Sequence, residues 1–211
     1  MTESRLTVVS HPLIQHKLGY LRDKETPTVH FRKLANEITL LLTYEATKDM
    51  PTEGAEIDTP LERMTVQRIS GKKVAVCPVL RAGVGMLDGV LSLVSSARVG
   101  FVGMYRDEET LEPVQYYLKL PDDLAERDAI VLDPMLATGH SSCAAIAAVK
   151  EAGAQTVTLV CIVAAPTGIE EVHRQHPDVH IVCASVDRAL DERGFIVPGL
   201  GDAGDRLYGT K

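Results

Sequence analysis

Four short segments of this chain, 74–80, 129–132, 156–164 and 180–184, are apolar almost from end to end. A strand with one face in water alternates apolar and polar residues, whereas an unbroken apolar run of this length suits a strand buried on both faces. The intervening segments carry helical spacing. Residues 12–22 follow Ser10, a candidate cap, with proline tolerated in the first turn. Residues 30–48 place Phe31, Leu34, Ile38, Leu41, Leu42 and Glu45 three and four apart. A third helix runs to Glu151 and ends at Gly153. Strands alternating with helices predict an α/β fold with a central, mainly parallel sheet and helices on both faces. Ligands bind such sheets beyond the carboxyl ends of the strands, near a switch in strand order.

The remaining pieces follow from local signals. Residues 6–9 read as a strand, 51–60 as a polar connector and 70–73 as a turn. An apolar helix reaches about residue 94, then come extended segments at 98–105 and 114–120 and a helix at 168–176. The 211 residues are read as a single domain, 1–211. A net charge of −7 disfavours a chain whose main task is to grip nucleic acid. No apolar run is long enough for a membrane span, and the N-terminus lacks the basic start and apolar core of a secretory signal. Cys77, Cys143, Cys161 and Cys183 have no short pairing and read as buried free thiols of a cytoplasmic protein.

Three loops at strand ends carry the chemistry. In the first, the strand 130–132 ends at Asp133. Pro134, Met135, Leu136, Ala137, Thr138, Gly139, His140 and Ser141 then lead into a small-residue helix. Backbone N–H groups, hydroxyls and a helix N-terminus gathered at one point suit a phosphate, and Asp133 beside them suits the hydroxyls of a ribose. The second is Leu80-Arg81-Ala82-Gly83, where an arginine directly after a buried strand reads either as a surface residue or as an anion fork. In the third, Arg106 opens the charge run 106–110, which reads either as a solvated face or as a mobile lid. The tail 195–208, with its glycines and proline among apolar residues, is too apolar to fray and cannot be a regular helix. Backbone groups held by its glycine turns suit a small planar molecule. Asp202 and Asp205 are open to a metal or to a plain surface turn.

These segments together resemble the bacterial uracil phosphoribosyltransferases. The likeness rests on Asp133 to Gly139, on Val79 to Gly83, on 105–110, on Val163-Ala164-Ala165-Pro166, and on Ile196-Val197-Pro198-Gly199-Leu200-Gly201-Asp202-Ala203-Gly204-Asp205. His11 to Lys17 and Leu21-Arg22-Asp23 fit as well. The resemblance implies a type I phosphoribosyltransferase-like fold with a small base-binding hood from the N- and C-terminal segments, 185–211 supplying the uracil-binding part. It implies transfer of phosphoribosyl from 5-phospho-α-D-ribose 1-diphosphate (PRPP) to uracil N1, giving UMP and diphosphate with Mg²⁺. Residues Asp133 to Ser141 would hold ribose and its 5-phosphate, and Arg81 and Arg106 the diphosphate. Asp202 would lie near the metal end, touching Mg²⁺ through substrate and water. Ile196, Gly201, Asp202 and Ala203 would read the uracil edge. A homodimer or larger homo-oligomer and activation by GTP are further implications.

One position departs from the resemblance: His140 stands where the family usually has a second glycine. Three outcomes are open. The side chain turns away without effect, obstructs close backbone approach and weakens phosphate binding, or adds an imidazole contact to an anion. A regulator on the same fold that binds RNA, and a structural protein without activity, are the rival readings. The acidic balance and the complete tail argue against the first, and the second requires the glycine-rich cleft loops to be idle.

Overall fold

In the computed structural model the described residues are 5–106 and 113–210, with backbone alone at 106 and 113. The chain runs β1 (Leu6–Val8), α1 (Pro12–Arg22), α2 (Thr28–Ala46), β2 (Thr52–Asp58), β3 (Arg63–Ile69), β4 (Val74–Leu80), α3 (Val84–Leu93), β5 (Arg98–Val99), β6 (Phe101–Arg106) and β7 (Pro113–Lys119). It continues with β8 (Asp128–Leu132), β9 (Met135–Leu136), α4 (His140–Glu151), β10 (Thr156–Ala164), α5 (Pro166–Gln175), β11 (His180–Val186), β12 (Ala189–Leu190), β13 (Ile196–Val197) and α6 (Ala203–Tyr208). The central sheet has the order β1-β11-β10-β8-β4-β6-β7, with β5 beside β4 and β9 beside β10. Every pairing in it is parallel except β6 with β7.

The continuous apolar strands have a simple cause. Val74, Val76, Ile130, Leu132, Val160 and Val182 face one core, where Leu18, Leu21, Phe31, Ile38, Met86 and Val90 of α1, α2 and α3 pack. Their strand neighbours Ala75, Cys77, Val131, Leu159 and Cys161 face a second core against Ile146, Val149 and Val172 of α4 and α5. Successive side chains point to opposite faces, so a sheet covered twice needs apolar residues at every position. All four cysteines are buried free thiols. Burial pushes the Cys77 thiol up to about 12 and that of Cys143 up to about 11, so both pack as small apolar groups.

Five local expectations are corrected. The cap of α1 is His11, whose Nδ1 accepts a hydrogen bond from Leu13 N at 3.2 Å, in place of Ser10. Helix α2 starts two residues earlier than its pattern suggested and buries Ala35, Thr39 and Thr43, while Leu41 and Glu45 stay only half-buried. The threonine hydroxyls of 39 and 43 donate to carbonyls four residues back at 2.7 and 2.8 Å, which lets polar side chains enter the core. The connector at 51–60 is instead β2, which forms an antiparallel ribbon with β3, a strand the sequence reading did not place. Its residues are mostly exposed on both faces, so no apolar alternation marks it. The extended run 98–105 is broken at Gly100 into β5 and β6. The tail ends in a helix after all. Asp202 caps α6, its carboxylate accepting from Asp205 N at 2.9 Å, and Gly204 lies buried within it.

Candidate active site at the strand-order switch

Strand order reverses between β4 and β8. From β4 the chain steps outward to β6, then returns to β8 and proceeds to β10 and β11 on the other side. The loops leaving β4 and β8 therefore diverge and open a crevice at their carboxyl ends. Arg81 follows β4 and Asp133 follows β8.

Two adjoining cavities occupy this crevice. One, of about 250 Å³, is bounded by Leu80, Arg81, Met104, Thr138, Gly139 and Ser141. The other, of about 260 Å³, lies against Phe195, Ile196, Gly201, Asp202 and Ala203. Ala82, Asp133, Met135 and Ala137 line both and form the common wall. The site is thus two-lobed, with a carboxylate at the junction.

The first lobe is built on the loop 133–139. Asp133 Oδ2 accepts from Ser142 Oγ at 2.9 Å, and Oδ1 from Met135 N at 3.2 Å. Burial pushes the Asp133 carboxyl above its ordinary range, against the opposing pull of these two hydrogen bonds. Gly139 caps α4 in the left-handed conformation, φ +87°, and its carbonyl accepts from Cys143 N at 2.8 Å. The loop is pressed against the first turn of α5 at Gly168. A Cβ there would lie 2.5 Å from Ala137 O and 2.9 Å from Leu136 O, so only glycine permits this approach. The result is a turn that exposes Thr138 and Ser141 to the cavity at the start of a twelve-residue helix. That arrangement suits an anion.

Not every expected site residue reaches a cavity. Pro134 and Leu136 are buried under the loop, where Pro134 O accepts from Ile162 N and Val163 N, both at 3.1 Å. His140 is exposed and lines neither lobe, on the side of α4 where it acts electrostatically on Glu171 of α5. Of the three outcomes left open for this residue, the geometry supports a side chain turned away. His140→Gly is accordingly expected to leave the affinity for a phosphate ligand within about twofold, while glycine in the first turn of α4 lowers stability by about 0.5–1 kcal/mol. A binding titration with a thermal melt checks both.

The guanidinium of Arg81 stands at the rim, 63% exposed, with Nη2 4.0 Å from Asp205 Oδ1. Its backbone is fixed by Tyr208, whose hydroxyl donates to Arg81 O at 2.8 Å. Arg106 ends β6, a strand whose Met104 lines the first lobe; the Arg106 side chain and residues 107–110 lie outside the described residues.

The second lobe is roofed by the C-terminal segment. Strands β12 and β13 pair antiparallel, Ala189 opposite Val197 and Leu190 opposite Ile196, and this small ladder carries the loop 198–202 over the crevice. Ile196 and Ala203 are buried and Gly201 and Asp202 exposed at the lobe. The helix cap commits one oxygen of Asp202. Among the described residues no group of three His, Cys, Asp or Glu side chains could hold a metal ion by itself. Ser142, the last residue of the hydroxyl-rich segment that starts at Asp133, lines the first lobe as well. Sequence reasoning missed Gly168 and Met104, and the approach of Gly168 depends on tertiary packing alone.

Comparison with known proteins agrees with this geometry. The sequence profile of the uracil phosphoribosyltransferase family matches residues 8–210. A uracil phosphoribosyltransferase of Thermoanaerobacter sp. is 58% identical over 204 residues, covering 97% of each chain. One from Streptococcus mutans is 54% identical over 207 residues, covering 98% of this chain and 99% of its own. A solved protein from Aquifex aeolicus superposes with a TM-score of 0.93 at 38% identity, covering 98% and 99% of the two chains. A Bacillus anthracis hypoxanthine-guanine phosphoribosyltransferase shares the fold, with a TM-score of 0.51 at 10% identity over 76% of this chain and 80% of its own.

Proposed function

Because the chain belongs to the uracil phosphoribosyltransferase family, we propose that its two lobes divide one substrate pair, PRPP against the loop 133–141 and uracil under the loop 196–203. The reaction itself is that of the family: phosphoribosyl passes from PRPP to uracil N1, giving UMP and diphosphate, a step of pyrimidine salvage. The observation that carries the division is Asp133 in the wall common to both lobes. A ribose must lie between its phosphate and its base, and its hydroxyls need an acceptor at that junction.

The chemistry asks little of acids and bases. The ribose C1–O bond to diphosphate breaks as the C1–N1 bond forms, the N1 proton is released, and positive charge develops on the ribose ring. The carboxylate of Asp133 lies where that charge arises. The role of Arg81 is to meet the negative charge of the departing diphosphate, joined by Arg106 in the role the family resemblance implies. The roles of Thr138, Gly139 and Ser141 are to bind the 5-phosphate. Ile196, Gly201 and Ala203 present backbone groups to the base, with Asp202 beside them.

Mg²⁺ fits as a partner of the substrate rather than a resident of the protein, since no three-ligand cluster exists among the described residues. Held with the diphosphate, it would supply neutralisation of charge on the leaving group. Asp202 would meet it through substrate and water. A second copy of the chain is the natural cover for the β2–β3 ribbon, where Leu61 is 95% exposed, because an isolated two-stranded ribbon is marginally stable in water. Four unpaired thiols suit the reducing cytoplasm. GTP as an activator is tested by initial rates at low PRPP with and without it.

The deciding experiment offers Mg²⁺ and PRPP with a panel of bases and follows diphosphate release. Turnover with uracil alone is expected; turnover with a purine overturns the assignment of the second lobe. Arg81→Ala is expected to lower kcat by about 10²-fold while moving the KM for uracil by less than about threefold. The reverse pattern in steady-state kinetics removes Arg81 from the diphosphate end.

A further inference from the structure

Asp187, 5% exposed, is the one carboxylate outside the crevice that the fold buries among the described residues. It follows β11 and touches neither lobe of the crevice. Both of its oxygens are fully used. Oδ1 accepts from Arg22 Nη2 at 2.6 Å and from Ser185 Oγ at 2.8 Å. Oδ2 accepts from Arg22 Nη1 at 2.7 Å and from Gly199 N at 2.8 Å. Arg22 Nη1 also donates to Gly199 O at 2.6 Å, and Nη2 to Ser185 Oγ at 3.1 Å. A carboxylate and a guanidinium from distant parts of the chain thus hold both polar groups of one peptide residue.

That residue sits at the turn of the base-facing loop. Gly199 has φ +60°, and a Cβ there would overlap Ile196 O. Ile196 and Gly201 on either side of the turn line the second lobe. The next residue is held as well. Arg206 Nη1 donates to Leu200 O at 2.7 Å and Nη2 to Asp23 O at 2.5 Å, while its guanidinium stacks 4.4 Å over the Phe31 ring. The end of α1, Arg22 and Asp23, is therefore tied to two successive residues of the loop through two arginine forks. A buried ion pair is a poor source of stability, because its desolvation offsets its attraction. Its planar, bidentate geometry fixes direction well.

We propose that Arg22 and Asp187 are positioning residues for base recognition, setting the backbone edge that the loop 196–203 offers to uracil. The inference rests on the assignment of uracil to the second lobe. Burial of a charge fixed on a glycine turn makes sense if the turn must not drift. A displacement of about 1 Å in such an edge is enough to misplace the base relative to the ribose. The phosphate lobe is built on β8 and α4 and should not feel the change.

The test compares three variants with the wild-type enzyme in the presence of Mg²⁺. Arg22→Lys keeps the charge but loses the fork, and Ser185→Ala removes the two lateral bonds of that hydroxyl, to Asp187 and from Arg22. Leu18→Ala destabilises α1 from its buried face without touching the clamp. The expected result is a rise of about tenfold in the KM for uracil in Arg22→Lys, with the KM for PRPP within about twofold. A smaller rise in the same constant is expected in Ser185→Ala, which is also the readout if Arg22→Lys does not fold. Uracil KM unchanged in the folded variants, equal rises for both substrates, or the same selective rise in Leu18→Ala overturns the proposal. Absence of uracil turnover in the wild-type enzyme would instead remove the assignment on which it rests.

Discussion

Replacing Gly139 by alanine is expected to lower kcat/KM for PRPP by about two orders of magnitude and to cost about 1–2 kcal/mol of stability. Two independent terms act at this residue. Its φ of +87° lies where a Cβ meets its own backbone, and that strain applies in any surroundings. The Cβ would also stand 3.0 Å from Gly168 O and 3.1 Å from Glu171 Cβ, so the loop must move away from α5. Such a movement shifts Thr138 and Ser141, the groups placed to receive the phosphate. Gly71→Ala separates the terms. It has φ +61° with nothing within 4 Å of its Cβ, in the turn before β4, and it lines neither lobe. Gly71→Ala should lose stability and keep activity. Equal loss of activity in both variants would show that the effect is global weakening and would sink the phosphate role of the loop.

The contrast between these two glycines also marks what a sequence can disclose. Continuous apolar strands announce a twice-covered parallel sheet because the sheet's own periodicity requires it, and β4, β8, β10 and β11 were readable for that reason. Asp133, Thr138, Gly139 and Ser141 were readable because phosphate binding packs its groups into consecutive positions. Arg22, Asp187 and Arg206 were not, since their chemistry comes from contacts between positions 165 to 183 residues apart, such as Arg22 with Asp187 and Arg206 with Asp23. The β2–β3 ribbon escaped for the opposite reason: it buries little, so burial left no pattern in it. The helix α6 was hidden by its glycine, and only the cap from Asp202 to Asp205 N reveals why six residues with Gly204 among them stay helical.

Asp133→Asn should separate stability from activity. The side chain accepts from Met135 N through one oxygen and from Ser142 Oγ through the other. An asparagine can keep both bonds, its oxygen accepting from Met135 N and its amide donating to a rotated Ser142 hydroxyl. Stability follows from the direction of the shift. Burial raises the carboxyl's pKa in the folded protein, so folding favours the protonated form. The stability of that neutral form is fully present below the unfolded value of about 3.9 and is lost as pH rises through the raised folded value. Above the raised folded value the wild-type protein bears the desolvation cost of an ionised carboxyl that the amide lacks, and there Asp133→Asn should melt at or above the wild-type temperature. The difference should vanish in acid, where Asp133 is itself protonated. Activity should move the other way. The ribose hydroxyls lose an ionised acceptor, worth about 1.5–3 kcal/mol for each such bond, and the cationic ribose loses a nearby negative charge. A fall of at least about 10²-fold in kcat/KM for PRPP is expected, and the wild-type rate should decline on the acid side at a pH above the ordinary carboxylate range. A less stable Asp133→Asn above that folded value would mean that the charge holds the loop together; an active one would move the ribose away from this carboxylate. Either result would break the two-lobed reading at its junction, because Asp133 is the only ionisable side chain lining both cavities among the described residues.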